Sequence, residues 1–320
     1  FELLVNETLL QAFGLTTPNA IEDLLTPDFL LYESNSSLIG LDIPEPLSIG
    51  HQFQHILTKK LGWEVGIKDL TILYANSQLY PSEGDALAAL LRGEIAIALT
   101  TSRERTSMSF PPTISYCHLE DMVRVNPYPI AIANGTLHQS QSEAFIEYLL
   151  SPVGQSSLLE AELGFFPVRR EAFNVMQDEI ETSTYEEFNW TIRAGGPGVS
   201  DLYSLEDIAL RIYMNSTVLS AWQNLTLTWK NIVSAYENGS IDYAQFNQFG
   251  GMLGEPFSIM DPNTHTNQSF TEAYAISILN NLSNTEFLVE VTLLWRVAAN
   301  QRYETLRTML SGLIHPYARI

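Results

Sequence analysis

The residues with the clearest chemical potential are asparagines. Nine stand in Asn-x-Ser/Thr frames with no intervening proline: Asn6, Asn35, Asn134, Asn189, Asn215, Asn224, Asn238, Asn267 and Asn281. Chance would give about three at this serine and threonine content. The excess predicts a glycan-coated surface in an extracellular compartment, because each frame is an acceptor for N-linked sugar. Other chemistry is thinly represented. His51 and His55 stand four apart, a spacing that can hold zinc on a helix, but the glutamate of the H-E-x-x-H pattern is missing. Cys117 is the one cysteine, and it has only His118 as a sequence neighbour. That pairing defines no nucleophile and base, and a buried, inert thiol is expected. There is no G-x-S-x-G elbow, and the carboxylates form no spaced acid and base pair. The reading is a protein that is not an enzyme, with no catalytic residue, no metal and no cofactor.

Composition narrows the partners. Sixteen Lys and Arg face 37 Asp and Glu, a formal charge of −21, and only four of the bases are lysine. Such a surface repels phosphate backbones and anionic lipid headgroups, so nucleic acid is not an expected partner. A single cysteine permits no internal disulfide. No apolar run approaches the roughly 18 residues that span a bilayer. Many glycosylation frames with little lysine and almost no cysteine fit an archaeal cell-surface protein better than an animal ectodomain. The start at Phe1 suggests that something upstream has been removed.

The elements that must position any site read as an α/β region followed by helices. The 320 residues, 45% hydrophobic, suffice for one or two sizeable cores. Residues 95–99 (IAIAL) and 128–133 (YPIAIA) read as short buried strands. FELLV at the start should pair as a strand. Residues 50–61, 83–91 and 141–150 carry apolar residues three and four apart, as amphipathic helices do. Three regions follow: 1–176, an α/β region; 177–204, an acidic, glycine-rich linker containing Gly195, Gly196, Pro197 and Gly198; and 205–320, mainly helical. Trp222, Trp229 and Trp295 in the last read as core anchors.

Several segments, in order, resemble one family. Residues 2–27 (ELLVNETLLQAFGLTTPNAIEDLLTP), 62–73 (GWEVGIKDLTIL), 86–99 (ALAALLRGEIAIAL) and 129–169, with its "A-FI-YLLSP-GQ" and closing "PVR", look like the iron, thiamine and polyamine-type solute-binding proteins of ABC transporters. The resemblance implies a periplasmic-binding-protein-like fold of two lobes with ligand in the cleft, and a chain that captures a small-molecule solute at the cell surface for an ABC permease. Family members carry roughly a hundred or more residues before the point matching Phe1. The lobe is therefore expected from about Ala20 to Val125, with flanking strands in a second lobe that the C-terminal helices complete. Those helices could equally complete the first lobe, form a separate domain or build an interface.

The resemblance also places ligand contacts on three loops: Ser48, Gly50 and His51; Tyr80 and Ser82; and Thr100 and Thr101. Ser48 and Ser82 serve equally well as helix caps with no ligand. Thr100-Thr101-Ser102 stands where iron-binding members have adjacent tyrosines, which disfavours ferric iron. The alternative is a structural subunit of a surface array or filament that reuses the fold, its open strand edges covered by identical subunits or by a separate N-terminal fragment.

Overall fold

A computed structural model of the chain describes residues 2–31, 36–45, 48–101, 110–119, 129–159, 165–175, 182–194 and 205–314. Five strands form the main sheet: β1 (Glu2–Asn6), β2 (Ile39–Asp42), β3 (Gln78–Tyr80), β4 (Ile97–Thr100) and β5 (Ile114–Cys117), in the order β3-β2-β4-β1-β5. β2 runs parallel to β3 and β4, whereas β1 lies antiparallel between β4 and β5. FELLV thus does pair as a strand, near the middle of the sheet. IAIAL contributes β4, buried on both faces as a continuous apolar run should be.

Side chains alternate between two cores with the strand period of two. Leu3, Val5, Ile39, Leu41, Ile97 and Leu99 face the larger core, and Leu4 and Ala98 face the smaller one. After α1 (Glu7–Ala12), the crossover from β2 to β3 is the pair α2 (Ile49–Leu61) and α3 (Trp63–Ala75), on the larger-core face. The crossover from β3 to β4 is α4 (Glu83–Leu91), on the opposite face. Ser48 caps α2, and Lys59 and Lys60 in its last turn suit the negative end of the helix dipole. Gly62 turns the chain from α2 into α3 at a φ of +83°, which a side chain would strain. Gly66 lets α3 lie against α2, since a Cβ there would sit 2.6 Å from the Cα of Thr58.

Beyond the sheet come α5 (Gln139–Leu149) and α6 (Thr182–Ala194), then α7 (Glu206–Met214), α8 (Trp222–Glu237), α9 (Tyr243–Gly254), α10 (Glu272–Ser277) and α11 (Thr285–Ile314). Between α7 and α8 the turn widens to a π-helix over Asn215–Leu219, and the buried Tyr303 hydroxyl donates to the Thr217 carbonyl at 3.0 Å. Along α11, Phe287, Val291, Trp295, Ala299, Tyr303, Leu306 and Leu310 form one buried stripe at helical spacing. Trp229 and Trp295 are fully buried core anchors, and Trp222 packs half-buried against them.

The C-terminal helices extend the helical layer on the larger-core face of the sheet. They pack on α2 and α3, so that Leu70 and Leu73 share one core with Trp229, Phe249 and Trp295. β1, expected to flank, belongs to the same sheet as β2 to β4. The physical reason is that α3 is buried nearly all round: Ile67, Leu70 and Leu73 are covered, and so are Thr71 and Tyr74. Such a helix needs neighbours on both sides. His55 of α2 and Asp207 of α7, both buried, meet at 2.5 Å, and Trp63 Nε1 donates to the Phe270 carbonyl at 3.0 Å.

Three further departures are local. Residues 129–133 of the expected strand YPIAIA form no strand, and Ile130 is exposed; Pro129 has no N–H to offer a ladder. Tyr128 lies outside the described residues, as do Gly195 to Gly198 of the expected linker. Within that stretch, the described residues form the helix α6. A two-stranded hairpin pairs Ser258–Met260 with Asn267–Ser269 inside the helical region. No helix among the described residues is long and apolar enough to cross a membrane.

Candidate functional site

Ligands of open α/β sheets sit beyond the carboxyl ends of the parallel strands, where the following helices begin. Here that edge collects the ends of β2 and β4, the starts of α2 and α4, the first residue of β1 and the end of β5. Glu2 lies opposite Thr100 in the register, and Leu3 opposite Cys117.

Asp42 ends β2 with 3% exposure and turns its carboxylate onto the start of α2. Its Oδ2 accepts the Gly50 N–H at 3.1 Å, and a Cβ on Gly50 would lie 2.9 Å from the other carboxylate oxygen. That second oxygen, Oδ1, is buried with no hydrogen-bond partner. Burial pushes the Asp42 carboxyl above its ordinary range, opposed by hydrogen bonds from Gly50 and Ser48. The Ser48 hydroxyl accepts the His51 N–H at 3.2 Å, as a helix cap does. The His51 imidazole belongs to another neighbourhood. It is half-buried, and burial, then the Arg211 charge on α7, hold its pKa below the usual histidine value.

At the second helix the Ser82 hydroxyl accepts the Asp85 N–H at 3.2 Å and donates to the Asp85 carboxylate at 2.6 Å. Glu83 folds over the end of β4: its Oε1 accepts from the Thr100 hydroxyl at 2.7 Å and from the Thr101 N–H at 3.2 Å. Tyr80 does not join them. Its ring lies across Gly40 against the smaller core, and burial and the nearby Glu94 raise its hydroxyl pKa. The structure thus brings Ser48, Gly50, Ser82, Thr100 and Thr101 to one edge and turns His51 and Tyr80 elsewhere. Both helix starts already face a carboxylate of the chain, Asp42 at α2 and Glu83 at α4, so a free anion would meet negative charge there.

Three residues at this edge escaped sequence reasoning. Glu2 is buried at 4% exposure, and its Oε1 lies 3.9 Å from His118 Nδ1 at the end of β5. The His118 ring stacks on Trp190 of α6 with centroids 4.0 Å apart. No spacing rule joins residues 2, 118 and 190; the antiparallel insertion of β1 brings Glu2 to His118, and α6 lays Trp190 on its ring. Cys117 beside them donates its S–H to the Pro18 carbonyl at 3.4 Å. Burial, then Glu7 and Glu2, push the thiol up to about 12, so it stays protonated and unreactive at neutral pH.

Asp42 yields a test with a defined sign. Because burial raises its folded-state pKa above the unfolded value, the folded chain takes up a proton first as pH falls. Stability is gained as pH drops through the folded pKa, and the gain is complete near the unfolded value. At pH 7 the ionised group is a cost. Asp42→Asn, which retains an acceptor for Gly50, should raise the melting temperature by about 2 °C or more at pH 7. The gap to the parent protein should close towards pH 4. An equal gap at both pH values would show that ionisation is not the cause.

Part of the chain is similar to known proteins of one class. Residues 16–161 match the family of bacterial extracellular solute-binding proteins. The phosphoglycerate transport regulatory proteins PgtC of Salmonella typhimurium and Salmonella typhi are each 24% identical over 169 residues, 52% of this chain and 41% of theirs. The chain therefore spans about two fifths of the length of these curated relatives. The solved periplasmic binding protein P5PA is 18% identical, with a TM-score of 0.36, over 60% of this chain and 64% of that one. Over the residues that build β2 to β5 and the helices between them, this chain is similar to extracellular solute-binding proteins.

Proposed function

We propose that the chain captures a small solute outside the cell and presents it to an ABC permease. The observation that carries this reading is the position of Thr100, Thr101, Ser48 and Ser82 at one sheet edge, within the stretch that matches the solute-binding family. The edge carries hydroxyls and the half-buried carboxylate of Glu83, backed by the buried carboxylates of Asp42 and Glu2, with the stacked pair His118 and Trp190 beside them. A neutral polyhydroxylated or cationic solute suits such a lining better than a free oxyanion, for which both helix starts are occupied.

Thermal-shift screening against oligosaccharides, peptides, polyamines, thiamine and oxyanions tests the proposal. A true ligand at a hundred times its Kd stabilises by about 2.7 kcal/mol, a shift of several degrees. Glu83→Gln and Thr100→Val should each weaken that ligand about tenfold, the loss of one charge-assisted contact. No stabilisation by any class, or stabilisation indifferent to both variants, would remove this edge as the site.

A second reading, a structural subunit of a surface array, has one observation in its favour. Helix α5 buries no residue: Phe145 and Tyr148 on it are more than half exposed, and Leu137 just before it is 94% exposed. Light scattering decides between the two. A protein that stays monomeric at high concentration is no array subunit.

A further inference from the structure

Among the described residues, the fold sets the glycosylation frames in different surroundings. We infer that N-linked glycan is carried at Asn134, Asn238 and Asn267 and is excluded from Asn215 and Asn224. The first three are exposed, each outside a helix: Asn134 in a turn, Asn238 just past the end of α8, Asn267 at the start of a hairpin strand. The frames at Asn215 and Asn224 lie within helical turns, both asparagines half-buried and tied into their neighbours. Asn215 opens the π-helical turn with its Oδ1 buried, and its frame threonine, Thr217, is 1% exposed with its hydroxyl given to the Tyr213 carbonyl. Asn224 is held across the pair of α8 and α11: its Nδ2 donates to Asn300 Oδ1 at 2.5 Å, and its Oδ1 accepts from Arg307 at 3.2 Å. A sugar on that nitrogen would push the two helices apart.

Asn238 is the best prepared of the three. Its Oδ1 accepts both the Ser240 N–H at 3.0 Å and the Ser240 hydroxyl at 2.5 Å. Two donors on the amide oxygen favour the imidate form, in which the nitrogen can act as nucleophile. The transfer forms a bond from Nδ2 to the anomeric carbon of a polyprenyl-phosphate-linked oligosaccharide. The bond from that carbon to the phosphate oxygen breaks, the phosphate leaves with the electron pair, and the amide proton passes to a base of the transferase. Such donors act at the outer face of a membrane, so the inference rests on the extracellular part of the proposed function and on none of its ligand chemistry.

Glycopeptide mass spectrometry of protein purified from its own host is the test. Sugar-bearing peptides are expected for Asn134, Asn238 and Asn267, and unmodified peptides for Asn215 and Asn224. Expressed in the same host, Ser240→Ala should leave Asn238 bare, and Ser240→Thr should keep it occupied. A glycan on Asn215 or Asn224, or an unmodified Asn238 in the parent protein, overturns the inference. Bare asparagines on a protein that still binds a solute would do so while leaving the proposed function intact, and failure to bind any solute would leave the glycan pattern standing.

Discussion

Asn76→Leu is expected to cost the protein about 3 kcal/mol or more, lowering its melting temperature by about 6 °C or more. The reasoning is a count of orphaned groups. Asn76 is fully buried at the end of α3, where its Nδ2 donates to the Leu24 carbonyl at 3.0 Å and to the Thr26 carbonyl at 2.8 Å. Its Oδ1 accepts from Trp229 Nε1 at 3.1 Å. Leucine has the same branched shape, is somewhat larger and offers none of these bonds, so two carbonyls and an indole N–H lose their partner. Each buried orphan costs about 1–3 kcal/mol. Asn76→Asp keeps the acceptor for Trp229 but sets a buried carboxylate against two carbonyl oxygens, so at neutral pH it should destabilise at least as much as the leucine variant. Urea unfolding followed by tryptophan fluorescence and by circular dichroism reads both. A loss below about 1 kcal/mol for Asn76→Leu would mean that water or main-chain shifts replace the side chain.

The larger effect is expected from cutting the chain before α7. Residues 1–204, produced alone, should show no cooperative unfolding and should bind hydrophobic dyes, although they contain the whole five-stranded sheet. Without the later helices, the sides of α2 and α3 that face Trp229, Phe249, Leu253 and Trp295 would meet water. At about 1.5–3 kcal/mol for each large apolar side chain, the exposure of about five such residues already matches the 5–15 kcal/mol that holds a typical domain together. The cut also leaves His55 without Asp207, and Trp63 Nε1 without the Phe270 carbonyl. Co-production with residues 205–320 should restore a soluble complex. A fragment that unfolds cooperatively on its own, near the temperature of the full chain, would establish the sheet region as an independent domain.

These expectations separate what periodicity discloses from what it does not. IAIAL announced β4 because a strand buried on both faces needs an unbroken apolar run. The helix at 83–91 was legible because Ser82 caps it and its apolar residues repeat every three or four. Residues 129–133 of YPIAIA are also apolar but pair with no strand among the described residues, and pairing is not written in a single segment. The union of the C-terminal helices with α2 and α3 was equally hidden, since an apolar stripe says that a face is covered and not by what. At the site, Ser48 and Ser82 were readable as the starts of helices. Asp42 and Glu83 were not: a carboxylate after a strand or in the first turn of a helix is ordinary surface chemistry until the fold brings it over a strand end. Glu2 and His118 meet through the insertion of β1, and Trp190 joins them from α6.

That insertion also sets an order for assembly. β1 leaves the ribosome well before both of its partners, which lie at residues 97–100 and 114–117. At about 5–20 residues per second, roughly ninety further residues take about 5–20 s to make. Through that interval Leu3, Leu4 and Val5 are an apolar strand with both edges open, while β2 and β3 can already pair around their local helical crossover. The sheet then closes by joining β1 to β4 and β5, a long-range step that slows folding relative to the local one before it. A chaperone or translocation factor that shields residues 2–6 would therefore act on two open strand edges.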